Sequence, residues 1–456
     1  MNLVKNNLTI RNAMPSDAEQ LCTWWNDGKI MAHAGFPNGL NEQPDETRED
    51  LATDTDETFR NHIIEFDGKP IGEMSYRNIG NKAAEIGIKI CDTSHQEKGL
   101  GTALLSMFID ALFTYYGYEK IVLDTNVKNK RAQHVYENKL GFKMVQVREN
   151  AWRDQLGELQ SSIDYELTKK DWLAHTQKPP EYIHIRQERP SPDEQYAVEE
   201  LTREAFWDGN WDMKPSICNT HLLVHKLRQC PSYMPELNFI AEIDGKLVGH
   251  IIYTKGKIVN DGGNAHEMLT FGPLSILPAY QNKGIGKALM HYTFTVAKEL
   301  GYRAVFVFGH PDYYPRVGFR RAAEFGVSTS SGANFDPFMV YPLYDGALDS
   351  IHGRFYIDPV YDEIDDVTEA DLSAFDKKFS PKELHNPISI SVLLERLAPP
   401  ARKALEGLKE SSLKIMTTKS ERELLAMEGI DQSVIETICM VMKENALKWG
   451  MANANR

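Results

Sequence analysis

Two short segments carry the clearest chemistry in this chain: Gln96-Glu97-Lys98-Gly99-Leu100-Gly101-Thr102 and Gln281-Asn282-Lys283-Gly284-Ile285-Gly286-Lys287. Each lies between a strand-like and a helix-like run. A strand that ends in Gly-x-Gly and feeds a helix leaves the first-turn N–H groups unpaired, with the positive end of the helix dipole behind them. Such a terminus cradles a phosphate. Gly99 and Gly101, like Gly284 and Gly286, bring no side chain that would hold a diphosphate away. Gln96 and Gln281 can add a donor at the rim, and Lys98 and Lys283 are expected to face solvent. A Walker loop does not fit, because Gly286-Lys287 is followed by Ala288 and the earlier glycine position holds Gln281. A Rossmann fingerprint needs a third glycine, which both copies lack. A lone Gly-x-Gly is equally well a tight turn; a matched pair in matched context is not.

A second shared signature follows each copy, Tyr136-Glu-Asn-Lys-Leu-Gly141-Phe142 and Tyr314-Pro-Arg-Val-Gly318-Phe319. Glycine can end a helix there and phenylalanine can open a buried strand. The tyrosine has a further capacity, since its hydroxyl can reach a reacting group while its ring packs.

The elements that must position these residues also repeat. Asn61–Phe66, Asp67-Gly68 and Ile71–Tyr76 read as a hairpin, echoed by Phe239–Ile243, Asp244-Gly245 and Val248–Tyr253. The runs Ala84–Ile90 and Met268–Ile276 lead straight into the glycine loops. Leu100, Leu104, Leu105, Phe108, Ile109 and Leu112 share one helical face, as do Ile285, Ala288, Leu289, Tyr292 and Val296. Gly117 and Gly301 close the two helices, and Lys120–Asp124 and Arg303–Phe308 are the next strands. Ala174–Glu181, with its paired prolines, reads as a linker.

This constellation resembles the GNAT superfamily of N-acetyltransferases, over about residues 8–170 and 182–345. The resemblance implies an α/β fold (mixed α+β): two tandem domains, residues 1–173 and 182–380, each a mixed central sheet flanked by helices. It implies acetyl-CoA as cofactor, its diphosphate held by residues 96–102 and 281–287. Ile90, Cys91 and Ile276 would contact the pantetheine from the strand, and Asn129 would be a further cofactor contact. Tyr136 and Tyr314 match the family tyrosine that often protonates the leaving thiolate. The second copy has His310, Pro311 and Asp312 where that asparagine would be.

An alkyl amine near pKa 10.4 is almost wholly protonated at neutral pH, so a base or water chain must help it. Glu85 is the expected base in the first domain. The second has no acid within Leu269–Ile276, which leaves His266 and Glu267. The expected function is transfer of acetyl to a primary amine of a small molecule, protein N-terminus or lysine. The alternative is an acetyl-CoA sensor or scaffold with one inactive domain.

At 456 residues, 42% hydrophobic and with net charge −14, the chain has room for two or three domains and no general nucleic-acid surface. No apolar run approaches the roughly 20 residues of a membrane span, and the polar start suggests no leader, so a cytoplasmic protein is expected. Five scattered cysteines show no metal or disulfide spacing, and no metal is expected. Residues 393–456 carry ten Lys+Arg and nine Asp+Glu. This module resembles helix-hairpin-helix domains, but Gly429-Ile-Asp431 puts aspartate where a phosphate-facing glycine would sit. A protein-contact or packing role is expected ahead of DNA binding.

Overall fold

A computed structural model of the chain describes residues 1–176, 179–207, 218–381, 390–408, 413, 415–418 and 421–444. Contacts gather them into two compact units, one made of Met1–Arg186 with Ala241–Lys246 and the other of the remaining chain from Gln187. The architecture is mixed α/β, with helices packed on mixed sheets.

In the first unit β1 (Asn2–Lys5), β2 (Leu8–Asn12), β3 (Phe59–Phe66), β4 (Lys69–Asn78) and β5 (Ala83–Ile90) run antiparallel in sequence order. Asp67 and Gly68 join β3 to β4 with φ of 49° and 73°, the left-handed pair that matches a hairpin's twist. β5 then pairs in parallel with β6 (Lys120–Asn126). Parallel neighbours need a crossover, supplied here by the helix Leu100–Thr114. β7 (Lys143–Arg153) and β8 (Leu159–Thr168) complete the sheet, β8 lying between β6 and β7. β9 (Ile183–Gln187), expected to open the second domain, pairs with β1 in the first unit, Leu3 opposite His184.

The crossover helix is buried on more than the expected stripe. Met107, Asp110, Ala111 and Phe113 are covered as well. The buried Asp110 carboxylate is satisfied by Trp172 Nε1 at 3.2 Å and Tyr182 Oη at 2.9 Å.

β10 (Phe239–Ile243) and β11 (Lys246–Val259) flank a second turn of the same kind, Asp244-Gly245. In the second unit β11 pairs antiparallel with β12 (Ala265–Ile276), which pairs in parallel with β13 (Ala304–Phe308) across the helix Ile285–Glu299. The strand Phe338–Pro342 lies antiparallel on β13. The buried face of this helix is turned from the expected one: Leu289, Met290, Thr293, Phe294 and Ala297 are buried, whereas Ala288, Tyr292 and Val296 are half-covered. The hidden member is Thr293, whose hydroxyl reaches Leu289 O at 2.9 Å and Tyr253 Oη at 2.6 Å. A hydroxyl so satisfied is tolerated where a count of apolar residues would not place it.

Near the C-terminus the described helices Ser391–Leu394, Pro399–Glu406, Ile415–Thr418, Glu421–Leu425 and Gln432–Glu444 share one buried cluster that includes Leu393, Leu405, Leu424 and Ile438. Residues 409–412, 414, 419–420 and 445–456 of the expected module lie outside the described residues. Asp431 accepts from Val434 N at 3.0 Å, so its own carboxylate caps the helix terminus that a phosphate would need.

Candidate active sites

β5 and β6 keep a common register for three pairs, ending at Glu85↔Val122. β5 continues to Ile90 and β6 to Asn126, so a wedge opens between two parallel strands. β12 and β13 part in the same way after Thr270↔Phe306, and β12 runs on to Ile276. Strand edges in such a wedge have polar backbone groups with no sheet partner across it, and those groups need one.

Each wedge leads to a glycine loop. Glu97 and Gly99 have φ of 60° and 76°, Asn282 and Gly284 61° and 82°. This alternation turns the chain sharply into the helix. Among the described residues no protein group accepts from the N–H groups of residues 97–102 or of residues 282–287. Six consecutive free donors at the positive end of a fifteen-residue helix form an anion cradle. Among the described residues a Cβ on Gly101 would meet only Ile90 Cδ1 at 3.8 Å, an ordinary contact, so the described fold does not demand glycine there. At Gly286 a Cβ would lie 3.1 Å from Tyr313 Oη and 3.3 Å from Leu274 Cδ2.

The glutamines also tie each loop to its strand. Gln96 Nε2 donates to Ile90 O at 2.8 Å and Gln281 Nε2 to Ile276 O at 3.2 Å. Each staples its loop to the end of the strand before it. Cys91 donates its N–H to Ile71 O at 2.9 Å, turned toward β4, and burial pushes its thiol up to about 12. Asn129 caps a short helix, accepting from Ala132 N at 3.1 Å. Lys98, Lys283 and Lys287 are exposed, and Lys283 Nζ lies 4.9 Å from the Tyr280 ring centre.

At the first wedge apex, Glu85 is engaged by the Arg77 guanidinium directly across β4. The sequence reading missed its neighbour Asp124, which lies two residues past Val122 and thus on the same face of the sheet. Arg148 Nη2 bridges Asp124 at 3.1 Å and Asp164 at 2.8 Å. Asp124 is half exposed; partial desolvation raises its carboxyl above the ordinary value, Arg148 opposing and Asp164 and Glu85 adding to the rise. Tyr136 packs against Phe142 and Tyr165, ring centres 5.9 and 5.7 Å away. Its hydroxyl makes no hydrogen bond with the described residues, and burial, with Asp124 second, pushes it up to about 12. Strand parity alone would have placed Asp124 beside Glu85, had the last parallel pair been known.

The second apex is built from other chemistry. Thr270 stands where Glu85 does, its hydroxyl donating to Phe306 O at 3.0 Å. Phe308 stands where Asp124 does. Glu267, a weak candidate base, lies back along β12 on the paired side of the apex, held by Tyr302 Oη at 3.0 Å and Lys255 Nζ at 3.2 Å. His266 is beside it, opposite Ile258. Tyr314 packs on Phe271 and Phe319 and fills the space over Gly309. Burial raises its phenol above the ordinary value. Its neighbour Tyr313, not singled out from the sequence, is the tyrosine whose hydroxyl stands over Gly286.

Among the described residues no group of three or more His, Cys, Asp or Glu could hold a metal, and no helix is long and apolar enough to cross a membrane.

Residues 7–143 match the family model described as the acetyltransferase (GNAT) domain, and residues 199–322 match that of the acetyltransferase (GNAT) family. A stretch of 101 residues, 22% of the chain, is 36% identical to the uncharacterized N-acetyltransferase YjhQ of Escherichia coli and spans 55% of that protein. Another alignment, 132 residues or 29% of the chain, is 28% identical to the uncharacterized N-acetyltransferase YhbS of Escherichia coli, over 76% of its length. Among solved structures, Escherichia coli YhbS in complex with CoA overlaps 41% of this chain and 96% of its own, with 24% identity and a TM-score of 0.36. A spermidine N-acetyltransferase from Vibrio cholerae, solved with CoA and spermine, overlaps 37% of this chain and 99% of its own, with 25% identity and a TM-score of 0.34.

Proposed function

Since this chain carries two domains of the GNAT acetyltransferase family in tandem, we propose that it is an acetyl-CoA-dependent N-acetyltransferase with two separate sites. The first takes a primary amine of a small molecule, a protein terminus or a lysine. The observation that carries this reading is the duplicated pairing of an open strand wedge with six free backbone donors. That pairing suits a ligand with an anionic diphosphate at one end and an amide-bearing arm. Residues 97–102 and 282–287 would hold the diphosphate, and the strand ends at Ile90 and Ile276 would line the arm. Bound there, acetyl-CoA supplies an acetyl group already activated as a thioester.

The residues of the first site serve the acceptor. Asp124, whose carboxyl is raised although Arg148 engages it, is the first candidate to take a proton from an alkylammonium. Glu85, paired with Arg77, is the second base candidate. Tyr136 retains its phenolic proton at neutral pH and presents a hydroxyl that is unpaired among the described residues.

Calorimetric titration of the full chain with acetyl-CoA, followed by a thiol-release screen of alkyl amines, tests the proposal. Two molecules bound per chain and turnover of at least one amine are expected. No acetyl-CoA binding at either cradle would end it.

A further inference from the structure

We propose that the second site takes a different acceptor class: a weakly basic amine carried on an aromatic or apolar group, already unprotonated at neutral pH. This rests on both wedges being acetyl-transfer sites.

Register carries the comparison. The last parallel pair is Glu85↔Val122 in one site and Thr270↔Phe306 in the other. Counting from those pairs, Thr270 replaces Glu85 and Phe308 replaces Asp124, so both carboxylates of the first apex are absent from the second. Phe308 is 43% exposed and Phe335 47% exposed. Their ring centres lie 6.1 Å apart, and Phe308 stacks on Phe338 at 4.9 Å with planes 19° apart. An exposed aromatic wall stands at the apex where the first site has a charged cluster.

Among the described residues no titratable group around this apex replaces the missing base. His310 is buried, and its Nδ1 accepts from Asp312 N at 3.1 Å. The proton of the neutral ring is then on Nε2, which makes His310 a donor. Burial lowers it to about 4, against a small rise from Asp312. Tyr253, Tyr313, Tyr314 and Tyr361, from β11, the loop after β13 and the helix Val360–Glu363, are all raised, first by burial. They hold their protons. Asp312 is exposed, and Asp336, beside Phe335, is paired with Arg321 at 3.2 Å.

The proton balance follows. Acetylating an alkylammonium forms the N–C bond, breaks the C–S bond, and yields amide, thiol and one proton that a base must take. A neutral amine gives amide and thiol with no net proton, its N–H proton ending on the departing sulfur. The second site suits only the latter, and its wall suits an apolar carrier.

The test uses the full chain with 4-methylaniline and 4-methylbenzylamine, which present similar aromatic groups with a weakly and a strongly basic nitrogen. Acetyl-CoA binding is measured alongside by calorimetry. Expected is turnover of the aniline that survives Gly101→Val and changes little between about pH 6 and pH 8. Phe308→Asp, at an exposed position, should turn preference toward the benzylamine by about tenfold or more. Aniline turnover lost in Gly101→Val, or absent although two acetyl-CoA bind per chain, would overturn the inference. Unaltered preference in Phe308→Asp would overturn it as well. Absence of acetyl-CoA binding would instead remove the reading on which it rests.

Discussion

Replacing Tyr136 by phenylalanine separates two roles that the tyrosine could play in the first site. The phenol is pushed up to about 12, whereas a thiol ionises near 8.5. Complete transfer of its proton to a departing thiolate is therefore uphill by about 3.5 units, or about 5 kcal/mol at 1.36 kcal/mol per unit. A hydrogen bond from the intact phenol to a charged sulfur carries no such penalty and contributes about 1.5–3 kcal/mol. Removing the hydroxyl should then lower kcat by roughly 10- to 150-fold, with KM for acetyl-CoA nearly unchanged, because the ring that packs on Phe142 and Tyr165 remains. The proton-bearing form persists from acid up to about pH 12, so Tyr136 itself should add no alkaline limb to the rate profile at lower pH. Steady-state thiol release on one alkyl amine at several pH values measures both quantities. A loss of 10⁴ or more, or an alkaline limb that disappears in the variant, would refute the argument and restore full proton transfer.

Asp124→Asn should abolish most alkyl amine turnover and remove the acid limb. The sign follows from the raised carboxyl: its base form is lost as pH falls through a value above the ordinary 3.9. The same rise means that folding disfavours the carboxylate, so the variant should melt no lower than the parent at neutral pH, as calorimetry can show. The double variant Gly101→Val, Gly286→Val should lose the rise in Tm that excess acetyl-CoA gives the parent. Gly101→Val should keep the parent's own Tm because its Cβ has room, whereas Gly286→Val should melt lower because it meets Tyr313 and Leu274. A chain ended at Pro381 should keep acetyl transfer in both sites, since the described C-terminal helices bury their apolar side chains in one shared cluster; loss of all activity in a folded truncate would show that they build a site.

The sequence by itself determined the duplicated cradle. A local reason explains why it was legible: Gly-x-Gly after a strand fixes left-handed backbone at Gly99 and Gly284 and leaves the next N–H groups free, whatever the rest of the chain does. The hairpin at Asp67-Gly68 and the left-handed turn at Asp244-Gly245 were readable on the same ground. Equivalence of the tyrosines needed the packed chain. Tyr136 stands five residues before its glycine and Tyr314 four. A single π-helical turn, closed by Leu140 N to Val135 O at 3.1 Å, absorbs the extra residue and returns Tyr136 to its phenylalanine. Asp124 was equally hidden, because its partners Arg148 and Asp164 come from strands far along the chain and meet it only across the sheet. Tertiary structure decided which residues share the apex, since the point where two parallel strands part is set by the packing between them and not by either strand alone. On that point depends the contrast between Glu85 with Asp124 in one site and Thr270 with Phe308 in the other.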